Sequence, residues 1–192
     1  MKKAEFRVLV AEDDDIVRDV IDKFLTDEGY SVAVANDGHE AVKMLRLEDF
    51  KLVLSDLRMP GADGMEVLRA SMRINPNIAV VIITAYGTLD TALEAMNEGA
   101  YDYIVKPFVM QQLLLVVRNA FKMNMLMEEN EKLSEQLKET HKNFEAFRIA
   151  GVQNSVIIDE PEDVQEIISD ENDGNRESIE KYNSLVNELK IK

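Results

Sequence analysis

Residues 8–13, Val-Leu-Val-Ala-Glu-Asp, join a short apolar run to two carboxylates. Residues 52–56, Leu-Val-Leu-Ser-Asp, repeat this arrangement, and residues 103–106, Tyr-Ile-Val-Lys, end in an ammonium group before a proline. Because an unpaired charge is costly to bury, we expect these charged groups at strand ends rather than in a core. If the strands are parallel neighbours, the acids and the lysine meet at one edge of a sheet, where such sheets bind ligands.

The rest of residues 1–121 alternates β-branched runs with amphipathic stretches, which is typical of repeated βα units. The pattern predicts an α/β fold, a doubly wound five-stranded parallel sheet with an extended C-terminal helix. The predicted strands span 6–11, 31–35, 52–55, 79–84 and 102–105. The predicted helices span 14–28, 38–47, 64–74 and 88–98, and a fifth begins after Pro107.

The last helix is predicted to continue beyond this first domain. Residues 110–148 contain neither Gly nor Pro and are rich in good helix formers. A heptad pattern places Met123, Asn130, Leu137 and Phe144 at a positions, and Leu126, Leu133, Thr140 and Phe147 at d positions. This favours a two-stranded coiled coil, and the alternative is one amphipathic helix that folds back on the domain. We therefore predict a domain at 1–121, a helical coiled-coil-like extension at 122–150 and an acidic tail with one or two short amphipathic helices at 151–192.

Composition limits the possible functions. The net charge is −15 and no segment is basic, so nucleic-acid binding is not expected. The chain has no cysteine, which excludes disulfides, thiol nucleophiles and thiolate metal sites. It has no apolar run of the roughly 20 residues that a membrane span needs. We expect a cytoplasmic protein that does not associate with membranes.

The charged strand ends predict phosphoryl-transfer chemistry. Glu12, Asp13 and Asp56 are oxygen donors of the kind that hold a partly hydrated magnesium ion. Asp56 precedes a loop that leaves its carboxylate accessible, and a carboxylate can form an aspartyl phosphate. Lys106 is expected to neutralise the transferred group, and Thr84 to donate a hydroxyl hydrogen bond to it.

Four motifs follow one another at the ends of predicted strands. They are Glu12-Asp13-Asp14 with Arg18, residues 55–64 (Ser-Asp-Leu-Arg-Met-Pro-Gly-Ala-Asp-Gly), 83–87 (Ile-Thr-Ala-Tyr-Gly) and 102–108 (Asp-Tyr-Ile-Val-Lys-Pro-Phe). Together they resemble the receiver domain of two-component response regulators. The resemblance covers about residues 5–121, and the motif sequences look most like receivers of NtrC-type activators. It implies a flavodoxin-like sheet of strand order 2-1-3-4-5.

The resemblance implies a role for each acid. Asp56 would be the phosphoacceptor and a ligand of Mg²⁺. Asp13 would be a direct ligand, Glu12 a ligand largely through water, and the backbone carbonyl of Arg58 a further ligand. No other cofactor is implied.

It also implies how phosphorylation is sensed. Lys106, with a cis bond to Pro107, would bind the phosphoryl group. Thr84 and Tyr103 would form the switch pair, and their movement would alter the face made by the fourth helix, fifth strand and fifth helix. Such a switch biases two states that already exist.

The implied function is a receiver that accepts phosphate from a sensor histidine kinase and changes protein contacts, rather than a turnover enzyme. A homodimer is expected through the extended helix, the face between the fourth and fifth helices, or both. Residues 151–192 show neither a GxxxxGK[ST] phosphate loop nor a basic recognition helix, so the ATPase and DNA-binding modules of NtrC-type activators are not expected there. The alternatives are a phosphate-independent scaffold, and a phosphorelay intermediate or phosphate sink.

Overall fold

The computed structural model describes residues 2–154, and the predicted tail helices lie outside them. A 3-10 turn at Lys3–Glu5 precedes five alternating strands and helices. The strands are β1 (Arg7–Ala11), β2 (Ser31–Ala35), β3 (Leu52–Asp56), β4 (Ala79–Thr84) and β5 (Asp102–Val105). The helices are α1 (Asp15–Asp27), α2 (Gly38–Leu47), α3 (Gly64–Ile74), α4 (Leu89–Asn97) and α5 (Met110–Asn154).

All five strands are parallel and lie in the order β2-β1-β3-β4-β5. The predicted fold class and strand order are therefore confirmed. β1 and β3 are central neighbours, with Val10 paired to Leu54 and Ala11 to Ser55. This register places the residues that follow β1 beside the end of β3.

The sheet separates two apolar layers. Alternate residues of β3 point to opposite faces, as the strand period of two requires. Leu52 and Leu54 pack in a cluster with residues of α1 and α5, whereas Val53 packs in a cluster with residues of α2, α3 and α4. Because both faces are covered, β3 is buried along its whole length.

Aspartates start three of the helices. Asp14, Asp37 and Asp63 are the N-caps of α1, α2 and α3, and each side chain accepts hydrogen bonds from backbone N–H groups of the first turn. After α1, Gly29 adopts φ +92°, which a glycine reaches at little cost. The helix boundaries expected from sequence agree to within a residue for these elements, whereas α5 begins at Met110, three residues after Pro107.

α5 is the longest helix in the described part of the chain. Backbone contacts divide the chain into two units, Met1–Lys138 and Glu139–Lys192. The boundaries expected after residues 121 and 150 stay predictions. Among residues 2–154 no helix is both long enough and apolar enough to cross a bilayer.

Candidate functional site

The site is built around Lys106, which lies directly after β5. Its ammonium donates hydrogen bonds to Asp56 Oδ1 at 2.7 Å and to Glu12 Oε1 and Oε2 at 3.0 and 2.8 Å. The side chains of Glu12 and Asp56 are only 3% and 8% exposed, and that of Lys106 is 20% exposed. In the sequence, Glu12 lies 94 residues before Lys106 and Asp56 lies 50 residues before it. The fold therefore brings together three groups that are distant along the chain.

Backbone hydrogen bonds hold two of the three groups in place. The N–H of Glu12 donates to the carbonyl of Ala35 in β2 at 3.2 Å, and the N–H of Lys106 donates to the carbonyl of Thr84 at 2.7 Å. The peptide bond between Lys106 and Pro107 is cis, as the resemblance implied. The site thus extends the sheet pairing by one residue beyond β1 and β5.

The loop after β3 wraps around the Asp56 carboxylate. Asp56 Oδ2 accepts a hydrogen bond from the N–H of Arg58 at 2.6 Å. Gly64, the first residue of α3, closes the loop, because its N–H donates to the carbonyl of Leu57 at 3.0 Å. A Cβ at Gly64 would lie 2.3 Å from the carbonyl oxygen of Asp56, so only glycine allows this close approach.

The local charge is negative. Burial raises the pKa of Glu12 above its ordinary 4.5, and the hydrogen bond from Lys106 opposes that rise without cancelling it. Burial alone would lower the pKa of Lys106, but the hydrogen bonds to Asp56 and Glu12 raise it above its ordinary value. A single ammonium therefore faces two buried carboxylates, which leaves an excess of negative charge.

The expected metal ligands supply oxygen donors suited to a hard cation. Asp13 follows Glu12 in the sequence, is exposed, and forms no hydrogen bond or ion pair with other residues in the range 2–154. Within that range, no three carboxylate, histidine or cysteine side chains are already gathered closely enough to hold a metal ion. Mg²⁺ usually keeps several waters and uses only one or two carboxylates, so the donors and the excess charge fit it. The ligand set stays a prediction.

The residues expected to form the switch pair have other partners in this structure. Thr84 is fully buried, and its Oγ1 accepts a hydrogen bond from the N–H of Tyr86 at 3.0 Å. Tyr103 is partly buried and packs against the α2–α3–α4 layer. Its hydroxyl lies 2.9 Å from Thr91 Oγ1, on the first turn of α4.

Comparison with known proteins agrees with this geometry. The sequence profile described as the response regulator receiver domain matches residues 8–118. The chain belongs to the response regulator receiver domain family. It is thus a receiver of two-component signalling, and the family recognised from the sequence motifs is confirmed.

Relatives match over the receiver alone. The transcriptional regulatory protein ZraR of Klebsiella oxytoca is 40% identical over 120 residues, which are 62% of this chain and 27% of ZraR. The chain therefore spans about a quarter of the length of that relative. Among solved structures, a receiver domain protein from Clostridium thermocellum gives a TM-score of 0.60 at 32% identity, covering 63% of this chain and 98% of that one. NtrX from Brucella abortus gives 0.61 at 32% identity, covering 66% of this chain and 30% of NtrX.

Some contacts of the receiver site were not predicted. Thr91 as the partner of Tyr103 went unrecognised, although its spacing of three from Thr88 is a capping signal. The Arg58 guanidinium stacks on the Tyr86 ring at 4.3 Å, which joins the loops after β3 and β4. Arg18 donates to the backbone carbonyl of Glu12 at 3.0 Å and so braces the loop that carries the acids.

Proposed function

We propose that Asp56 of this receiver accepts a phosphoryl group from a sensor histidine kinase in the cytoplasm and thereby switches protein contacts. The observation that carries the proposal is the hydrogen bond of 2.7 Å between Lys106 Nζ and the buried Asp56 carboxylate at the end of β3. A buried carboxylate beside a fixed ammonium is preorganised for a reaction that adds negative charge at that point. The receiver itself is not a turnover enzyme.

In the proposed reaction, an oxygen of Asp56 forms the new bond to phosphorus. The bond from phosphorus to the donor's histidine nitrogen breaks, and its electron pair stays on that imidazole. Lys106 then pairs with a phosphoryl oxygen in place of part of its present contact with Asp56 and Glu12. Because Lys106 already lies between these carboxylates, its charge needs little rearrangement to do so.

Glu12, Asp13, Asp56 and the carbonyl of Arg58 are proposed to hold Mg²⁺, which when bound supplies charge neutralisation for the phosphoryl oxygens. Their contribution is to present oxygen donors at a negatively charged sheet edge. Of the three carboxylates, only Asp13 is exposed, and it is unpaired within residues 2–154. Glu12 is nearly fully buried and paired with Lys106, which agrees with an indirect role through water.

The proposed switch runs from Thr84 to Tyr103. Thr84 moves its hydroxyl toward the phosphoryl group and donates a hydrogen bond to it, and this movement takes Oγ1 away from the Tyr86 N–H that it now accepts from. Tyr103 turns inward and gives up its hydrogen bond with Thr91. Each contact is worth about 1 kcal/mol, so a small difference in free energy separates the two states.

A homodimer is proposed through α5, the face between α4 and α5, or both. The heptad positions Met123, Leu126, Leu133 and Leu137 on α5 are all exposed. Leu89, Leu93 and Met96 on α4 are exposed as well. Such surfaces are typical of protein–protein contacts.

The proposal is tested by binding of beryllofluoride with magnesium, a stable mimic of the phosphoryl group, or by labelling with acetyl phosphate. Wild type is expected to respond and Asp56→Ala is expected not to. Asp49→Asn is a matched control, because Asp49 is an exposed carboxylate just before β3. Equal responses from wild type and Asp56→Ala would overturn the assignment.

A second experiment separates switching from binding. Lys106→Ala is expected to keep most of its magnesium affinity but to lose the change in oligomeric mass on activation. Mass in solution is measured with and without beryllofluoride. Full activation of Lys106→Ala would contradict the role given to Lys106, and equal mass in both states would favour the phosphate-independent scaffold.

A further inference from the structure

A groove between α2 and α3 lies away from the phosphoacceptor site. It has a volume of about 500 Å³. Val42 and Leu47 of α2, Ala70 of α3 and Ala62 in the loop before α3 form its apolar lining. Leu47 is 72% exposed. An apolar groove of this size between two helices accommodates several side chains of a partner.

The cationic side chains in this groove set it apart from the rest of the receiver. Lys43 and Arg46 of α2 and Arg73 of α3 line it and are exposed. Every other lysine and arginine from residue 3 to residue 118 forms an ion pair or, in one case, stacks on an aromatic ring. These three have no such partner among residues 2–154.

This distribution is unusual for so acidic a chain. The net charge is −15, with 37 acidic residues available to pair with 22 basic ones. Of the carboxylates, only Glu66 lines the groove, and its side chain accepts a hydrogen bond from the N–H of Asp63 at the start of α3. The groove is therefore a positively charged, apolar strip on a negative surface.

We propose that the α2–α3 groove binds an acidic amphipathic helix of a partner protein. The apolar lining would receive the apolar face of that helix, and Lys43, Arg46 and Arg73 would pair with carboxylates beside it. This is the helix-in-groove mode of recognition, with charge complementarity supplied by both receiver helices. The site does not use Asp56, so it operates in addition to the proposed phosphorylation.

The test uses the full chain and a fluorescein-labelled peptide of four helical turns, with leucine at i, i+3, i+4 and i+7 and glutamate elsewhere. Fluorescence anisotropy gives its Kd. The triple variant Lys43→Glu, Arg46→Glu, Arg73→Glu is expected to weaken binding by about tenfold or more, because three favourable pairs become repulsive. Leu47→Asp is expected to weaken it about tenfold by removing apolar contact at an exposed position.

Charge-matched controls keep the result specific. The variant Lys23→Glu, Lys122→Glu, Lys132→Glu changes the net charge equally on α1 and α5 and is expected to leave Kd within about twofold. Asp56→Asn is expected to bind the peptide like wild type, so failure of the phosphoacceptor assignment is distinguishable from failure of this one. Circular dichroism verifies that each variant is folded.

Two further probes complete the test. A peptide with lysine in place of every glutamate, and one with alanine in place of every leucine, are both expected to bind at least tenfold more weakly. The proposal is wrong if no labelled peptide binds wild type, if the lysine peptide binds as well, or if the groove and control variants lose equal affinity. Tighter binding of a labelled oligonucleotide than of the acidic peptide would assign the groove to nucleic acid instead.

Discussion

Replacing Lys106 by methionine tests the electrostatic account of the site. The substitution keeps an unbranched chain but removes the ammonium that contacts Asp56 Oδ1 at 2.7 Å and both oxygens of Glu12. In the absence of divalent cations, Lys106→Met is left with two buried carboxylates that have lost their common counter-charge. Removing one partner from a buried pair typically costs about 3–5 kcal/mol.

The structure places the expected loss near the lower end of that range. The Lys106 side chain is 20% exposed, so water reaches the site, whereas Glu12 at 3% and Asp56 at 8% are almost fully enclosed. We therefore expect Lys106→Met to lose about 3 kcal/mol in free energy of unfolding at neutral pH. That is a large part of the roughly 5–15 kcal/mol that stabilises a domain.

The assay is urea denaturation followed by far-UV circular dichroism with a chelator present. Lys23→Met is the matched control, because Lys23 and Asp27 form an exposed pair, 78% and 66% accessible, which is expected to contribute less than about 0.5 kcal/mol. The double variant Lys106→Met, Asp56→Asn is expected to recover part of the loss. Equal losses for Lys106→Met and Lys23→Met would refute the reasoning.

The free energy of unfolding of Lys106→Met is expected to fall as the pH rises. Burial already raises the pKa of Glu12 above 4.5 in the folded state, so ionisation of this group opposes folding. The folded state then binds more protons than the unfolded state, and stability falls as the pH rises above about 4.5 through the folded pKa. Without Lys106 that fall is expected to be steeper and to extend to higher pH than in wild type.

Three further substitutions give predictions at other positions. Tyr30→Phe removes a buried hydroxyl that has no hydrogen-bond partner among residues 2–154, so urea denaturation at neutral pH is expected to show a change of less than about 1 kcal/mol. Because burial also raises the Tyr30 pKa above 10.0, wild type is expected to lose stability as the pH rises above about 10 through the folded pKa, and Tyr30→Phe to lose less. Thr91→Val removes the partner of the Tyr103 hydroxyl and is expected to cost about 1 kcal/mol, with faster amide exchange at the start of α4. Gly64→Ala introduces a Cβ 2.3 Å from the Asp56 carbonyl and is expected to cost about 1–3 kcal/mol and to slow acetyl phosphate labelling.

Each of these predictions has a result that would contradict it. A loss of more than about 2 kcal/mol in Tyr30→Phe would mean that the hydroxyl has a partner in solution. Unchanged amide exchange in Thr91→Val would mean that the Tyr103 contact does not hold α4. Normal labelling by Gly64→Ala would mean that the loop after β3 moves freely enough to accept a side chain.

The strands and most helices were predictable because each leaves a local pattern. β4 buries five of its six residues, and its continuous apolar run is bounded by polar residues. The aspartate caps mark the starts of α1, α2 and α3 in the sequence itself. The start of α5 was less clear, because the residues between Pro107 and Met110 carry no capping side chain.

Part of the site, the meeting of Glu12, Asp56 and Lys106, was predictable from the sequence, whereas the contacts around it were not. Charged residues at strand ends indicate which groups gather at the sheet edge, and the parallel sheet does bring Glu12, Asp56 and Lys106 together. Whether Tyr103 contacts Thr84 or Thr91 depends on a side-chain torsion and on how the loop after β4 packs. A sequence pattern records neither. The unpaired cations of the α2–α3 groove escaped notice for the same reason, since pairing is visible only after the helices are placed.

The alternation of side chains along the strands assigns Asp56 to one face of the sheet and the proposed switch residues, Thr84 and Tyr103, to the other. In β3, Asp56 lies two residues after Leu54, so the alternation of side chains assigns it to the same face of the sheet as Leu52 and Leu54. That face packs toward α1 and α5. In β4, the same alternation assigns Thr84 to the face of Val80 and Ile82, which pack with α2, α3 and α4. Tyr103 packs against that same layer. In the switch proposed above, the signal passes from Asp56 in one layer to Thr84 and Tyr103 in the other at the carboxyl edge of the sheet. In the proposed switch the two layers therefore have different tasks: one holds the carboxylate proposed to receive the phosphoryl group, and the other holds the residues proposed to respond to it.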